Sequence, residues 1–108
     1  METNVQIKNQ IYVVSLVPAE HKDLQSSEPD KIILGRTLTL EQKIIIRNDL
    51  NPTRLLSVII HEVTHAFIDV YGYSEMTKWN EEQLCTFNEA FASDIVSVAN
   101  EIMKRLME

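Results

Sequence analysis

A chain of 108 residues is long enough for one domain and short for two, and its 44% hydrophobic and 24% charged content is ordinary globular usage. Sixteen acidic residues against ten basic ones leave a net charge of -6, with the basic ones scattered, so a nucleic-acid-binding patch is excluded. A single cysteine, Cys85, excludes an internal disulfide, and no apolar run approaches the length of a membrane span. Met1–Gln10 is polar and lacks the layout of a secretory signal, so the expectation is a cytoplasmic protein without membrane association.

In chain order, Gln10–Val17 (QIYVVSLV) is β-branched and aromatic, is closed by Pro18, and reads as a first strand. Ala19–Lys31 is polar, carries Ser26, Ser27, Pro29 and Asp30, shows no period, and reads as a surface loop. Ile32–Leu40 and Lys43–Arg47 read as two further strands joined near Glu41 and Gln42 in an antiparallel hairpin. After a turn at Asn48–Asn51, Asn51 is placed as an N-cap and Pro52 at the first helical position. The helix is expected to reach Val70, with Gly72 ending it and Tyr71–Lys78 forming a connection. Asn80 with Gln83 resembles a capping box, and Leu84, Phe87, Phe91, Ile95, Val98 and Ile102 then recur at helical spacing, giving a second helix over Glu81–Leu106. The fold class is therefore α+β: one domain over 1–108, with a small antiparallel sheet of about three strands followed by two long helices.

The first of these helices carries His61-Glu62-Val63-Thr64-His65, an HExxH sequence. Histidines four apart on a helix lie about 6 Å apart along its axis and about 40° apart around it, so both imidazoles can reach one metal ion. Glu62, turned about 100° from His61, falls beside such an ion, where its carboxylate can take a proton from water. The spacing points to zinc held by His61 and His65, with Glu62 as general base. The motif lies among Leu55, Leu56, Val58, Ile59, Ile60, Val63, Ala66, Phe67 and Ile68, so both histidines are expected to be at least partly buried, and a metal would offset that cost.

A hydrolytic zinc takes three protein ligands and keeps one open position. His21, in the polar loop, is more simply a solvated residue. Glu81, Glu82 and Glu89 on the second helix are better placed, and Glu81 suits the helix dipole. Glu82 and Glu89 are about 20° apart around the helix and about 10 Å apart along it, so one of them can reach the metal and geometry leaves the two open.

The short sheet, HEVTHAF on a helix and Asn80–Phe87 (NEEQLCTF) opening a second helix resemble the small ImmA/IrrE-type zinc metallopeptidases, a gluzincin group common in bacteria, phages and mobile elements. The likeness covers Leu34–Phe91 and implies a minimal zincin-like fold, His61, His65 and Glu82 as ligands, and Glu62 as the catalytic carboxylate. It also implies a hydrolase that cuts a peptide or protein, with a repressor-like regulator as the kind of substrate, held along either Arg36–Leu40 or Lys43–Arg47. Arg54 recurs at this spacing in the group as a structural anchor. Thermolysin-like enzymes share HExTHA, and Asn88-Glu89-Ala90 is similar to their ligand segment, which would favour Glu89. That pattern wants an aspartate where this chain has Ser93.

Asp69, four residues past His65, can accept a hydrogen bond from a ligating imidazole, as Glu89 can, or simply be solvated near the helix end. Tyr71 and Tyr73 carry phenols suited to an oxyanion, although tyrosines in a connection more often pack on the core. Cys85 reads as a small core residue. Two readings compete with a peptidase: a catalytically inactive zinc-binding regulatory or interaction module, and a structural helical domain without metal.

Overall fold

The computed structural model describes residues 1–76 and 78–108. Its four strands are β1 (Glu2–Ile7), β2 (Gln10–Val17), β3 (Gly35–Leu38) and β4 (Lys43–Arg47), and its two helices are α1 (Pro52–Val70) and α2 (Glu81–Leu106). The α+β expectation holds, with one strand more than expected. Of the expected connection Tyr71–Lys78, Thr77 lies outside the described residues.

The sheet order is β1-β2-β4-β3. Its pairing corrects the expected all-antiparallel arrangement, because β2 and β4 run parallel, with Val14 opposite Ile44 and Leu16 opposite Ile46. Residues 18–42 cross from the end of β2 to the start of β4, and that crossover allows the parallel pairing. β3 then returns antiparallel on β4, as the hairpin reading expected, but it is shorter than Ile32–Leu40. Strand β4 is interior and β3 is an edge. The Ile44-Ile45-Ile46 run explains the interior place, since all three side chains are buried and a strand covered on both faces carries a continuous apolar run.

Register decides which face each residue serves. Tyr12 and Val14 of β2, Ile44 and Ile46 of β4, Val5 and Ile7 of β1, and Gly35 and Thr37 of β3 share the face on which the helices lie. On the opposite face a 3-10 turn at Lys22–Leu24 in the crossover buries Leu24, close to β4 and β3, and Ile45 is buried on that face too. Strand β1 belongs to the segment read as polar chain end. Only Val5 and Ile7 of its six residues are buried, so its apolar signal amounts to two alternate positions. The Tyr12 hydroxyl is buried without a hydrogen-bond partner among the described residues; burial, and secondarily the charge of Asp69, push its pKa up.

Both helices keep the expected bounds because their end signals are local. The Asn51 side chain accepts from the Arg54 amide at 2.9 Å. Asn80 and Gln83 close a reciprocal capping box, with bonds of 2.8 and 2.9 Å. α1 ends in a Schellman arrangement, in which Tyr73 N–H donates to Ile68 O at 2.8 Å and Gly72 N–H to Asp69 O at 3.2 Å. Along α2, Phe87, Ile95, Ala99, Ile102 and Leu106 are buried, whereas Leu84, expected in the packed stripe, is 49% exposed. One core cluster runs from Val5 to Leu106.

Two backbone positions give opposite expectations. Gly72 has φ +84°, and a Cβ there would meet nothing within 4 Å, so Gly72→Ala should destabilise the fold by about 1 kcal/mol through backbone strain alone. Gln42, in the β3–β4 turn, holds φ +55° without being glycine, so Gln42→Gly should stabilise it by about 0.5–1 kcal/mol after the added chain entropy. Denaturant melts of the two variants check both signs.

Candidate metal centre and its groove

Helix α1 divides its residues between two sides. Leu55, Val58, Ile59, Glu62, Val63, Ala66 and Phe67 are buried at helical spacing against the sheet and α2. Arg54, Ser57, His61 and His65 follow one another at steps of three or four along an exposed stripe. The expectation that apolar neighbours would bury the histidines is thereby corrected, since the His61 side chain is 68% exposed. The helix is amphipathic, and the histidines stand on its open side. Glu62 is the buried polar residue of the motif, at 6% exposure.

The two imidazoles lie with ring centroids 5.0 Å apart and planes at 71°. His61 Nε2 is 3.9 Å from Glu62 Oε2. All three side chains line an open groove of about 970 Å³ between α1 and the β3 edge. Lys31, Arg36 and Arg54 also line it, as do Ser57, Asp69 and Ser74. Lys31 and Arg54 bring positive charge to the groove in a chain of net charge -6, whereas the Arg36 guanidinium turns to the opposite face of the sheet and donates to the Asp23 carbonyl oxygen at 3.4 Å. Arg54 is exposed there, and its backbone amide, rather than its side chain, bonds to Asn51.

Glu62 is held from the sheet. Thr37 on β3 lies with Oγ1 2.8 Å from Glu62 Oε1 and 2.9 Å from the Glu62 carbonyl oxygen. Buried carboxylates require such donors. Gly35, two residues earlier on the same face, leaves the space the Glu62 stem occupies, for a Cβ there would stand 2.9 Å from Val58 Cγ1 and 3.2 Å from Glu62 Cγ. Neither residue was singled out from sequence. The signal was the period of two in Gly35-Arg36-Thr37-Leu38, which puts Gly35 and Thr37 on one face without saying what that face meets.

The other residues singled out from sequence are dispersed. Glu82 and Glu89 are exposed on α2 and outside the groove, and among the described residues no three His, Cys, Asp or Glu side chains are grouped to hold a metal ion. Glu81 and Glu82 instead occupy the first turn of α2, where carboxylates favour the helix dipole. Asp69 lines the groove one turn beyond His65. Tyr71 stacks on Phe67 and meets Phe91 at a tilt, and Tyr73 packs against Trp79, Phe87 and Phe91, so the phenols serve the aromatic core and neither lines the groove. Cys85, expected as a core residue, is exposed. His21 is half-buried at the 3-10 turn, where its Nδ1 accepts from the Asp23 amide at 3.1 Å, away from the groove.

The close approach of β3 to α1 has a measurable consequence. Gly35→Ala should destabilise the fold by about 1–3 kcal/mol, since Val58 or the strand must shift, and thermal melts check it. No protein-family model matches the chain, and no curated protein or solved structure does.

Proposed function

We propose that this chain is a zinc-dependent metallopeptidase of the ImmA/IrrE type, in which a groove beside the sheet edge receives an extended peptide. The observation that carries the reading is the pairing of two open imidazoles, 5.0 Å apart, with a buried carboxylate whose Oε2 lies 3.9 Å from one of them. Two imidazoles on one helical stripe suit two ligand positions of zinc. His61 and His65 would hold the ion; Glu82, with Glu89 as its alternative, is the third ligand that the resemblance implies, and either would have to be brought to the groove from α2. Zinc bound there would polarise a substrate carbonyl and bring the pKa of water to about 7.

The chain's own groups supply the remainder. Glu62, kept out of bulk water by Val58 and β3, takes the proton of the attacking water at Oε2 and returns it to the leaving amine. Strand β3 is the sheet edge that borders the groove, and its outer backbone groups are available to pair with an extended substrate. Lys43–Arg47, the alternative partner from sequence, lies between β2 and β3. Lys31 and Arg54 favour a substrate with acidic side chains near the cut. A repressor-like regulator is the proposed class of substrate.

One observation bears against zinc altogether, and so against both the peptidase and the zinc-binding module: Glu82 and Glu89 stand outside the groove that holds the histidines. Zinc content and cleavage of an internally quenched peptide library separate the two. Glu62→Gln should keep zinc and lose at least about 100-fold in turnover, and a variant that still cleaves at the wild-type rate excludes the mechanism. Glu82→Gln should lose zinc while Glu89→Gln keeps it; the reverse result would move the third ligand to Glu89.

A further inference from the structure

The Glu62 carboxylate has two oxygens with different surroundings. Oε1 is 2.8 Å from the Thr37 hydroxyl, whereas Oε2 is 3.9 Å from His61 Nε2 on the groove side. We propose that Thr37 is the positioning residue of the site, fixing Oε1 so that Oε2 alone is presented to the groove. The inference rests on the reading of Glu62 as the group that takes the proton from water.

The geometry carries it in three steps. A glutamate has three side-chain torsions, so a buried carboxylate without an anchor samples several positions, and misplacement of a reacting group by about 1 Å can cost 100-fold in rate. The Thr37 hydroxyl has one hydrogen and lies near two acceptors, Glu62 Oε1 at 2.8 Å and the Glu62 carbonyl oxygen at 2.9 Å. The hydrogen goes to Oε1, the shorter contact, because a carboxylate is the stronger acceptor and the Glu62 carbonyl lies within α1, where the helix ladder already uses it. Gly35 closes the other side, since a Cβ there would stand 3.2 Å from Glu62 Cγ and 3.4 Å from Oε2. The edge strand thus forms a slot, with bare backbone at Gly35 and a hydroxyl at Thr37, which admits one course of the Glu62 side chain.

A plain staple between β3 and α1 would use the same hydrogen bond, so the test separates orientation from stability. Thr37→Val keeps the shape and removes the hydroxyl; Thr37→Ser keeps the hydroxyl. With zinc-loaded full-length chain and the library peptide that the wild type cleaves fastest, Thr37→Val should lower kcat by about 10- to 100-fold with KM within about twofold and zinc content unchanged. Thr37→Ser should recover most of kcat. Wild-type kcat in Thr37→Val overturns the proposal, as does a loss that Thr37→Ser fails to restore. A crystal structure of Thr37→Val supplies a readout independent of activity: the carboxylate should leave its place beside His61, and an unmoved Glu62 sinks the proposal. If the wild-type chain cleaves no peptide, the peptidase reading falls, and the position of Glu62 in that crystal structure still decides the clamp.

Discussion

A carboxylate that is 6% exposed has to find a hydrogen-bond donor, and the packing of α1 on the edge strand depends on how Glu62 finds one. The donor is Thr37, from the sheet rather than from the helix that carries Glu62. The bond sets β3 and α1 at one distance and one register, and Gly35 makes that distance attainable because a side chain there would strike Val58. With Glu62 turned inward, residues one step to its side, His61 and His65, face outward into the groove. Burial of the Glu62 carboxylate and exposure of the imidazoles are two consequences of the same helical phase.

That phase also changes what accounts for the motif. Apolar neighbours suggest buried histidines whose desolvation a metal would offset, but the imidazoles are open to solvent and carry no such penalty. Glu62 is the residue out of water, and a threonine satisfies it. The case for zinc therefore rests on the spacing and mutual orientation of two accessible imidazoles above an anchored carboxylate. The groove they share is bounded by the edge strand β3 and lined by Lys31 and Arg54.

Legibility followed the range of the interaction. Asn51 with Pro52, Gly72, and the Asn80–Gln83 box act within one helical turn, and both helices begin and end where those residues place them. Strand β1 offers two buried residues in six, too little for a period of two to stand out. The exposed Leu84 and Cys85 sit in the first turns of α2, ahead of the buried series that starts at Phe87, where the sequence stripe runs on but the partner surface does not.

By itself, the sequence determined the two helices, the hairpin and the placing of His61, Glu62 and His65 on adjacent strips of one helix, because backbone capping and a period of 3.6 residues are properties of the local chain. Tertiary structure alone decided that β2 and β4 run parallel, that β3 rather than β4 is the edge, and that Tyr71 and Tyr73 serve the aromatic core. It alone also set Thr37 against Glu62 across 25 residues of chain. These outcomes depend on which surfaces meet, and a meeting between distant segments is set by the burial of the whole core and leaves little mark on the residues nearby.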